Sequence, residues 1–351
     1  MITKIIKEDL IQKAKEEIES VNDIVIVSHV SPDGDAVGSS LGFYNFLTDI
    51  LDKNVTVIVP TQVPDYFRWM PGASNILVYS DEKEQCDEKI KNTELIFALD
   101  FNNLKRIGDM AFVVADAPAK KILVDHHLDP GNFANVIISY PDISSTSEMI
   151  FRLICRMGYF TDMTQECAEC IYTGMMTDTG CFTYNSNQTE IYLIISELIK
   201  KGIDKDEIHR RVYDNYSENR FRMMGYLLSE KMKVYPEYGT AMMYLTKEEL
   251  KRFDYKPGDI EGFVNMPMSI KGVVFSALFR EDESKIRVSF RSQGDVAVNE
   301  FAAEYFDGGG HKNAAGGQLF VPMDEAIRMF EEKLPILADS LKKEIEKQSK
   351  Y

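Results

Sequence analysis

The sequence predicts an α/β fold: an N-terminal domain built on a parallel sheet, then a smaller C-terminal α+β domain. Three observations carry this. Short β-branched runs, Asp23–Val27 (DIVIV), Leu95–Leu99 (LIFAL) and Lys121–Val124 (KILV), are separated by stretches of helical spacing. Each run stops on a histidine or an aspartate. From Thr240 onward the texture changes to closely spaced strand-like segments, AMMYL, GVVFSALFRE and KIRVSFRS. At 351 residues the chain is long enough for two cores.

Residues 4–20 read as an opening helix, followed by the strand Asp23–His29. Asp35–Leu51 has helical spacing, Val55–Val59 reads as a second strand, and Ala134–Ile138 follows the KILV strand as another. Ser144-Ser145-Thr146-Ser147-Glu148 opens a helix that runs to about Met157, with Ser144 or Ser145 as its cap. Gln165–Thr177 reads as a helix carrying Asp178-Thr179-Gly180 at its end, and Gln188–Lys201 as another closed by Gly202. These elements define a first domain over 1–203, a charged helical connector over 204–237 and a second domain over 238–345. In the second domain a helix over 296–306 precedes the glycine-rich Gly308–Gly317, a short strand at Gln318–Val321 and a helix from Met323.

Composition excludes several classes of function. Lys plus Arg number 40 and Asp plus Glu 56, a formal net charge of −16. Such a chain is a poor ligand for long duplex DNA or an anionic membrane. No apolar stretch approaches the ~20 residues that span a bilayer. The start is amphipathic and charged, so no signal peptide is expected, and five cysteines, an odd number, point to a reducing, cytoplasmic setting. Cys167 and Cys170 sit mid-helix and are expected to be buried. Trp69 is expected to anchor a loop on the core, and His209 to be a solvated surface residue. The oligomeric state is open, with a homodimer among the expectations.

The strand ends carry the chemistry. Ligands of parallel sheets bind beyond the carboxyl ends of strands. One sheet edge therefore gathers His29, Asp33, Asp35, Asp100, Asp125, His126 and His127. So many carboxylates together repel one another unless cations sit among them, which announces a metal centre of more than one ion. His with Asp suits a borderline divalent metal such as Mn²⁺, with Zn²⁺, Co²⁺ or Mg²⁺ as alternatives. Each motif also has a plainer reading: Pro32-Asp33-Gly34 as a turn, Asp100 and Asp178 as helix caps. In Asp125-His126-His127 one ring can face a metal and the other substrate, with Asp125 orienting a ring. Gly308-Gly309-Gly310-His311-Lys312 reads as glycines leading into a helix start, an anion site to which Arg291 adds a guanidinium.

Together SHVSPDGDAVGS, ALD, VDHH and TDTG, in that order, resemble the DHH phosphoesterase superfamily, and FRS with GGGHKNAAGG resembles its associated C-terminal domain. Length and arrangement look most like the branch of bifunctional oligoribonucleases and pAp phosphatases. The resemblance implies two Mn²⁺ ions and an active site in the cleft between the two domains. One ion is then held by His29, Asp33 and Asp100, the other by Asp35, Asp100, His126 and Asp178, with Asp100 bridging. His127 faces the scissile phosphate and Asp125 supports it. Arg291, Gly309, Gly310 and His311 hold the substrate's terminal phosphate or nucleotide, with Ser145 and Asn299 as further contacts. The expected activity is hydrolysis of oligonucleotides of two to five residues to mononucleotides, and of adenosine 3′,5′-bisphosphate (pAp) to AMP. The alternatives are a phosphodiesterase of cyclic or linear dinucleotides and a non-catalytic nucleotide-binding module.

Overall fold

Alternation of β-branched strands with longer helices produces a doubly wound sheet in the computed structural model, which describes residues 4–348. The chain divides into two compact units, one reaching to Asn215 and the other beginning at Tyr216.

In the first unit α1 (Glu8–Glu19), β1 (Asp23–Val27), α2 (Gly34–Asp49), β2 (Asn54–Val59) and β3 (Leu77–Val78) come first. They are followed by α3 (Lys83–Asn92), β4 (Leu95–Leu99), α4 (Met110–Asp116), β5 (Lys120–Asp125) and β6 (Val136–Ser139). Four helices close the unit: α5 (Thr146–Arg156), α6 (Gln165–Asp178), α7 (Thr189–Lys200) and α8 (Lys205–Tyr213). The sheet order is β3-β2-β1-β4-β5-β6, all parallel. Strand order reverses between β1 and β4, so the chain leaves the two strands toward opposite faces of the sheet and a crevice opens beyond their carboxyl ends. Alternate residues feed opposite faces. Ile24 and Ile26 join the core under α1, α2, α5 and α6, whereas Val25 and Val27 join that under α3 and α4. β6 begins at Val136 rather than at Ala134, because the Asn135 side chain takes the Lys121 N–H at 2.8 Å.

Close packing of α2 on α6 is what brings distant parts of the site together. Gly34, Gly38 and Gly42 recur every fourth residue and form one helix face. A Cβ on Gly38 would stand 2.7 Å from the Cys170 carbonyl and the Gly174 N–H. Gly38→Ala is therefore expected to destabilise the first unit by about 1–3 kcal/mol in urea unfolding, despite alanine's better helix propensity. Cys167 and Cys170 lie buried in α6 as free thiols, and burial pushes both well above the ordinary thiol range. Trp69 anchors its loop, donating to the Tyr66 carbonyl at 2.9 Å under the Arg211 guanidinium of α8.

The second unit contains α9 (Glu218–Glu230), β7 (Met232–Tyr235), β8 (Thr240–Leu245), α10 (Lys247–Arg252), β9 (Phe275–Glu281) and β10 (Ile286–Ser292). It continues with α11 (Val298–Tyr305), β11 (Gly309–His311), β12 (Ala314–Leu319), α12 (Met323–Lys333) and α13 (Ala338–Gln348). Its mixed sheet, ordered β11-β12-β10-β9-β8-β7, is antiparallel except between β8 and β9. On one face Phe275, Phe279 and Phe290 of the strands pack against Phe301, Phe306 and Phe330.

Two expectations are corrected. The segment 204–237 is not one helical connector: α8 belongs to the first unit, while α9 and the strand β7 belong to the second. Nor does the glycine-rich segment lead into a helix. It is a hairpin, with Gly309–His311 paired to Ala314–Gly316 and the strand continuing to Leu319. Gly308, Gly310 and Gly317 sit where backbones approach closely. A Cβ on Gly310, whose φ is +143°, would stand 2.5 Å from the Ala314 carbonyl.

Candidate metal centre

The site grows out of the carboxyl ends of β1, β4 and β5 and the ends of three helices. Asp33 caps α2: its Oδ1 accepts from the N–H groups of Asp35 and Ala36, both at 3.0 Å. Its Oδ2 is left 3.9 Å from His29 Nε2. Asp100 follows β4 with φ +65°, a left-handed conformation that aspartate tolerates better than most residues. There its carboxylate is only 2% exposed. Asp178 is the last residue of α6, brought to Asp35 by the near contact of Gly34 with Thr177.

Each histidine is fixed by its Nδ1. That atom meets the Val30 carbonyl in His29 (3.0 Å), the Ile143 carbonyl in His126 (3.2 Å) and Asp125 Oδ1 in His127 (2.7 Å). An acceptor at Nδ1 places the proton there and leaves Nε2 a lone pair. The Nε2 atoms of His29 and His126 point at carboxylates. His29 lies 3.3 Å from Asp100 Oδ2, without a well-directed hydrogen bond. His126 lies 3.5 Å from Asp178, 3.6 Å from Asp100 and 3.8 Å from Asp35.

Lone pair facing lone pair in a buried pocket is repulsive unless a proton or a metal ion lies between. The electrostatics of the pocket carry the same frustration. Burial alone would lower the His126 pKa, but Asp178, Asp100, Asp35 and Asp125 push it up to about 9. Burial, with Asp100 and Asp178 nearby, holds the Asp35 carboxyl well above its ordinary range. Asp100 goes the other way: burial opposes its charge, but His29, His127 and His126 together hold it below the usual carboxylate range. Asp178 adds a further negative charge at the C-terminal, negative pole of α6.

The donor set therefore fits divalent cations. Ligand atoms of His29, Asp33 and Asp100 lie within 4.8 Å of one another, and so do those of Asp35, Asp100 and His126. Asp100 is common to both groups. Asp178 joins the second through His126. Asp125 is fully buried behind His127, and its second oxygen has no hydrogen-bond partner among the described residues.

Residues at the start of α5 complete the centre and were not legible in the sequence. The Thr146 and Ser147 N–H groups grip the two oxygens of Asp35 at 2.7 and 2.8 Å, and the Thr146 hydroxyl donates to Asp100 Oδ1 at 3.0 Å. The run Ser-Ser-Thr-Ser-Glu signalled only a helix cap. Ser145 is that cap, its Oγ accepting from the Glu148 N–H at 3.0 Å, so its hydroxyl is already engaged.

In the second unit Arg291 and His311 both stand in register with Ala314, on strands flanking β12. Residues paired directly across strands share a face, so both side chains belong to one side of this sheet. Gly309 and Gly310 are exposed on the edge strand β11. Asn299, on α11, has a buried Oδ1 without a hydrogen-bond partner among the described residues.

Comparison with known proteins accords with this geometry. The family model "DHH family, N-terminal domain" matches residues 23–175, and the "DHHA1 domain" matches residues 239–347. The bifunctional oligoribonuclease and PAP phosphatase NrnA of Thermus thermophilus is 31% identical over 296 residues, covering 84% of each chain. The chain belongs to the DHH phosphoesterase family. Among solved structures, an exopolyphosphatase-related protein from Bacteroides fragilis is 56% identical with a TM-score of 0.92, covering 97% of this chain and 99% of that one. RecJ of Thermus thermophilus in complex with Mn²⁺ shares the fold at 13% identity and a TM-score of 0.56, over 97% of this chain and 56% of its own. This DHH protein is thus a metal-dependent hydrolase of phosphoesters. Among its described residues no helix is long and apolar enough to cross a membrane.

Proposed function

We propose that this protein is a Mn²⁺-dependent hydrolase of short oligoribonucleotides and of pAp, acting in the cytoplasm. The observation that carries the reading is Asp100, whose carboxylate lies in three groups of candidate ligands, with His29 and Asp33, with Asp35 and His126, and with Asp125 and His127. His29, Asp33 and Asp100 are assigned to one ion, and Asp35, Asp100, His126 and Asp178 to the other. Two such ions, if bound there, would supply a lowered pKa for an attacking water and neutralisation of charge on the phosphoryl oxygens. The protein's own groups supply orientation and proton transfer. Asp125 holds His127 by Nδ1, so Nε2 is the atom left for substrate, and only with a second proton on it would it donate to the phosphoryl oxygens or to the leaving oxygen. Arg291, Gly309, Gly310 and His311 are assigned to the substrate's far phosphate or nucleotide, for which a guanidinium and an imidazole on one sheet face are suited. The names of the relatives support the substrate class, and the net charge of −16 disfavours long polyanions.

Labelled dinucleotide, a 24-nucleotide RNA, pAp, cyclic dinucleotide, pyrophosphate and polyphosphate, each with Mn²⁺, form the decisive panel. Turnover of dinucleotide and pAp well above the rest is expected. Hydrolysis confined to polyphosphate would instead favour the activity in the name of the Bacteroides relative, and no turnover at all would leave a nucleotide-binding module. His311→Ala is expected to raise KM for the dinucleotide about tenfold and to leave a small chromogenic phosphodiester nearly unaffected, in line with loss of a charge-assisted hydrogen bond. Equal effects on both substrates would remove His311 from substrate recognition.

A further inference from the structure

Behind the metal centre, the hydrogen bonds converge on a buried ion pair that the proposed reaction does not use. Glu148 and Arg152 lie one turn apart in α5, with side chains 0% and 2% exposed. Arg152 Nε donates to Glu148 Oε1 at 2.7 Å, and a terminal guanidinium nitrogen lies 2.7 Å from the same oxygen. Oε2 takes two more donors, the Ser144 N–H at 3.2 Å and its hydroxyl at 2.5 Å. In an ordinary capping box a glutamate here turns back to the N–H of the cap residue, Ser145. Glu148 reaches one residue further.

A buried ion pair is a weak device for stability, because an apolar pair of similar volume often serves as well. What this one holds is more specific. Ile143, next to Ser144, offers its carbonyl to His126 Nδ1. Thr146 and Ser147, two and three residues on, hold both oxygens of Asp35, and Thr146 also holds Asp100. The segment 143–147 therefore touches three of the proposed ligands, and Glu148 clamps it.

We infer that Glu148 is a positioning residue: its carboxylate, fixed by Arg152, locks Ser144 and so sets the first turn of α5 against Asp35, Asp100 and His126. This rests on the two-ion reading of the centre. The charge matters because each carboxylate oxygen meets donors. Glutamine has the same shape, but its NH₂ would confront either Ser144 or Arg152, donor against donor.

The test is Mn²⁺ affinity, by calorimetry, in Glu148→Gln and in the paired apolar replacement Glu148→Leu with Arg152→Met. Metal-free melting temperature is measured alongside. Partners that orient metal ligands typically contribute about 10–100-fold in affinity. The paired replacement is expected to melt close to wild type and Glu148→Gln lower, because it leaves the Arg152 charge buried without its partner; both are expected to bind Mn²⁺ about tenfold more weakly or worse, and to recover kcat at high Mn²⁺ with KM unchanged. Should neither fold, Ser144→Ala decides; it removes one donor and is expected to weaken Mn²⁺ binding about fivefold at unchanged melting temperature. Mn²⁺ affinity within twofold of wild type in the folded variants would overturn the inference and leave the pair as core filling. Wild-type protein that neither binds Mn²⁺ nor hydrolyses any substrate would instead overturn the two-ion reading, and the inference with it.

Discussion

Asp100→Asn is expected to lower kcat/KM for a dinucleotide by at least about 10³-fold while leaving the fold intact. The size follows from the chemistry: losing several kcal/mol of transition-state charge stabilisation corresponds to about three powers of ten. Asparagine is the right probe because it tolerates the left-handed backbone that Asp100 adopts at φ +65°. It can also still accept from the Thr146 hydroxyl, which donates to Oδ1 at 3.0 Å. Only the shared negative charge is lost. Asp100 belongs to the groups of candidate ligands assigned to both ions, so calorimetric titration with Mn²⁺ is expected to show both sites weakened. If only one site weakens and activity falls less than tenfold, Asp100 does not bridge.

Stability of the metal-free protein is expected to fall as pH rises from about 6 to about 9, and divalent metal is expected to reverse the trend. The sign comes from the folded-state pKa values. His126 is raised from 6.5 to about 9, so its contribution is full below 6.5 and is lost as pH climbs through about 9. Asp35, held well above 3.8 by burial and by Asp100 and Asp178, contributes in the same sense: fully below 3.8, less as pH rises. Asp100 is depressed, so its contribution is lost only in acid, outside this window. The ligands bind metal in their deprotonated forms, so affinity grows over the same range in which the proton's contribution disappears. At a hundredfold excess of metal over Kd the gain is about 2.7 kcal/mol. Melting curves at about pH 6, 7.5 and 9, with chelator and with Mn²⁺, are expected to diverge by on the order of 5 °C at the alkaline end. A melting temperature independent of pH in chelator would show that the carboxylate–imidazole cluster is not strained.

The sheet was legible because its strands advertise themselves locally. DIVIV, LIFAL and KILV are short, β-branched and buried, as parallel strands must be, and each stops at a polar residue where the sheet ends. That α5 opens on a serine cap was readable too, because capping depends on residues three apart in sequence, but the choice of Ser145 over Ser144 came from the structure. The Gly308–Gly317 hairpin was not. Its glycines suit a helix start as well as a hairpin, and the register with β10 that decides between them is not a local property.

By itself, then, the sequence determined which residue types stand at the carboxyl ends of β1, β4 and β5, and so that cations must balance them. The family resemblance already named Asp100 as the shared carboxylate; the tertiary structure supplies the reason it lies in more than one group of neighbouring donors. Asp100 holds that position because β4 lies beside β1, where the strand order reverses, and because its left-handed backbone places it between His29 and His126. Packing also decided that Asp178 joins Asp35 through the glycine face of α2, and that the first turn of α5 grips Asp35 across 111 and 112 residues of chain. The reason is physical: hydrophobic period and turn chemistry act over a few residues, whereas a metal centre is assembled by close approaches between elements that the local pattern does not encode.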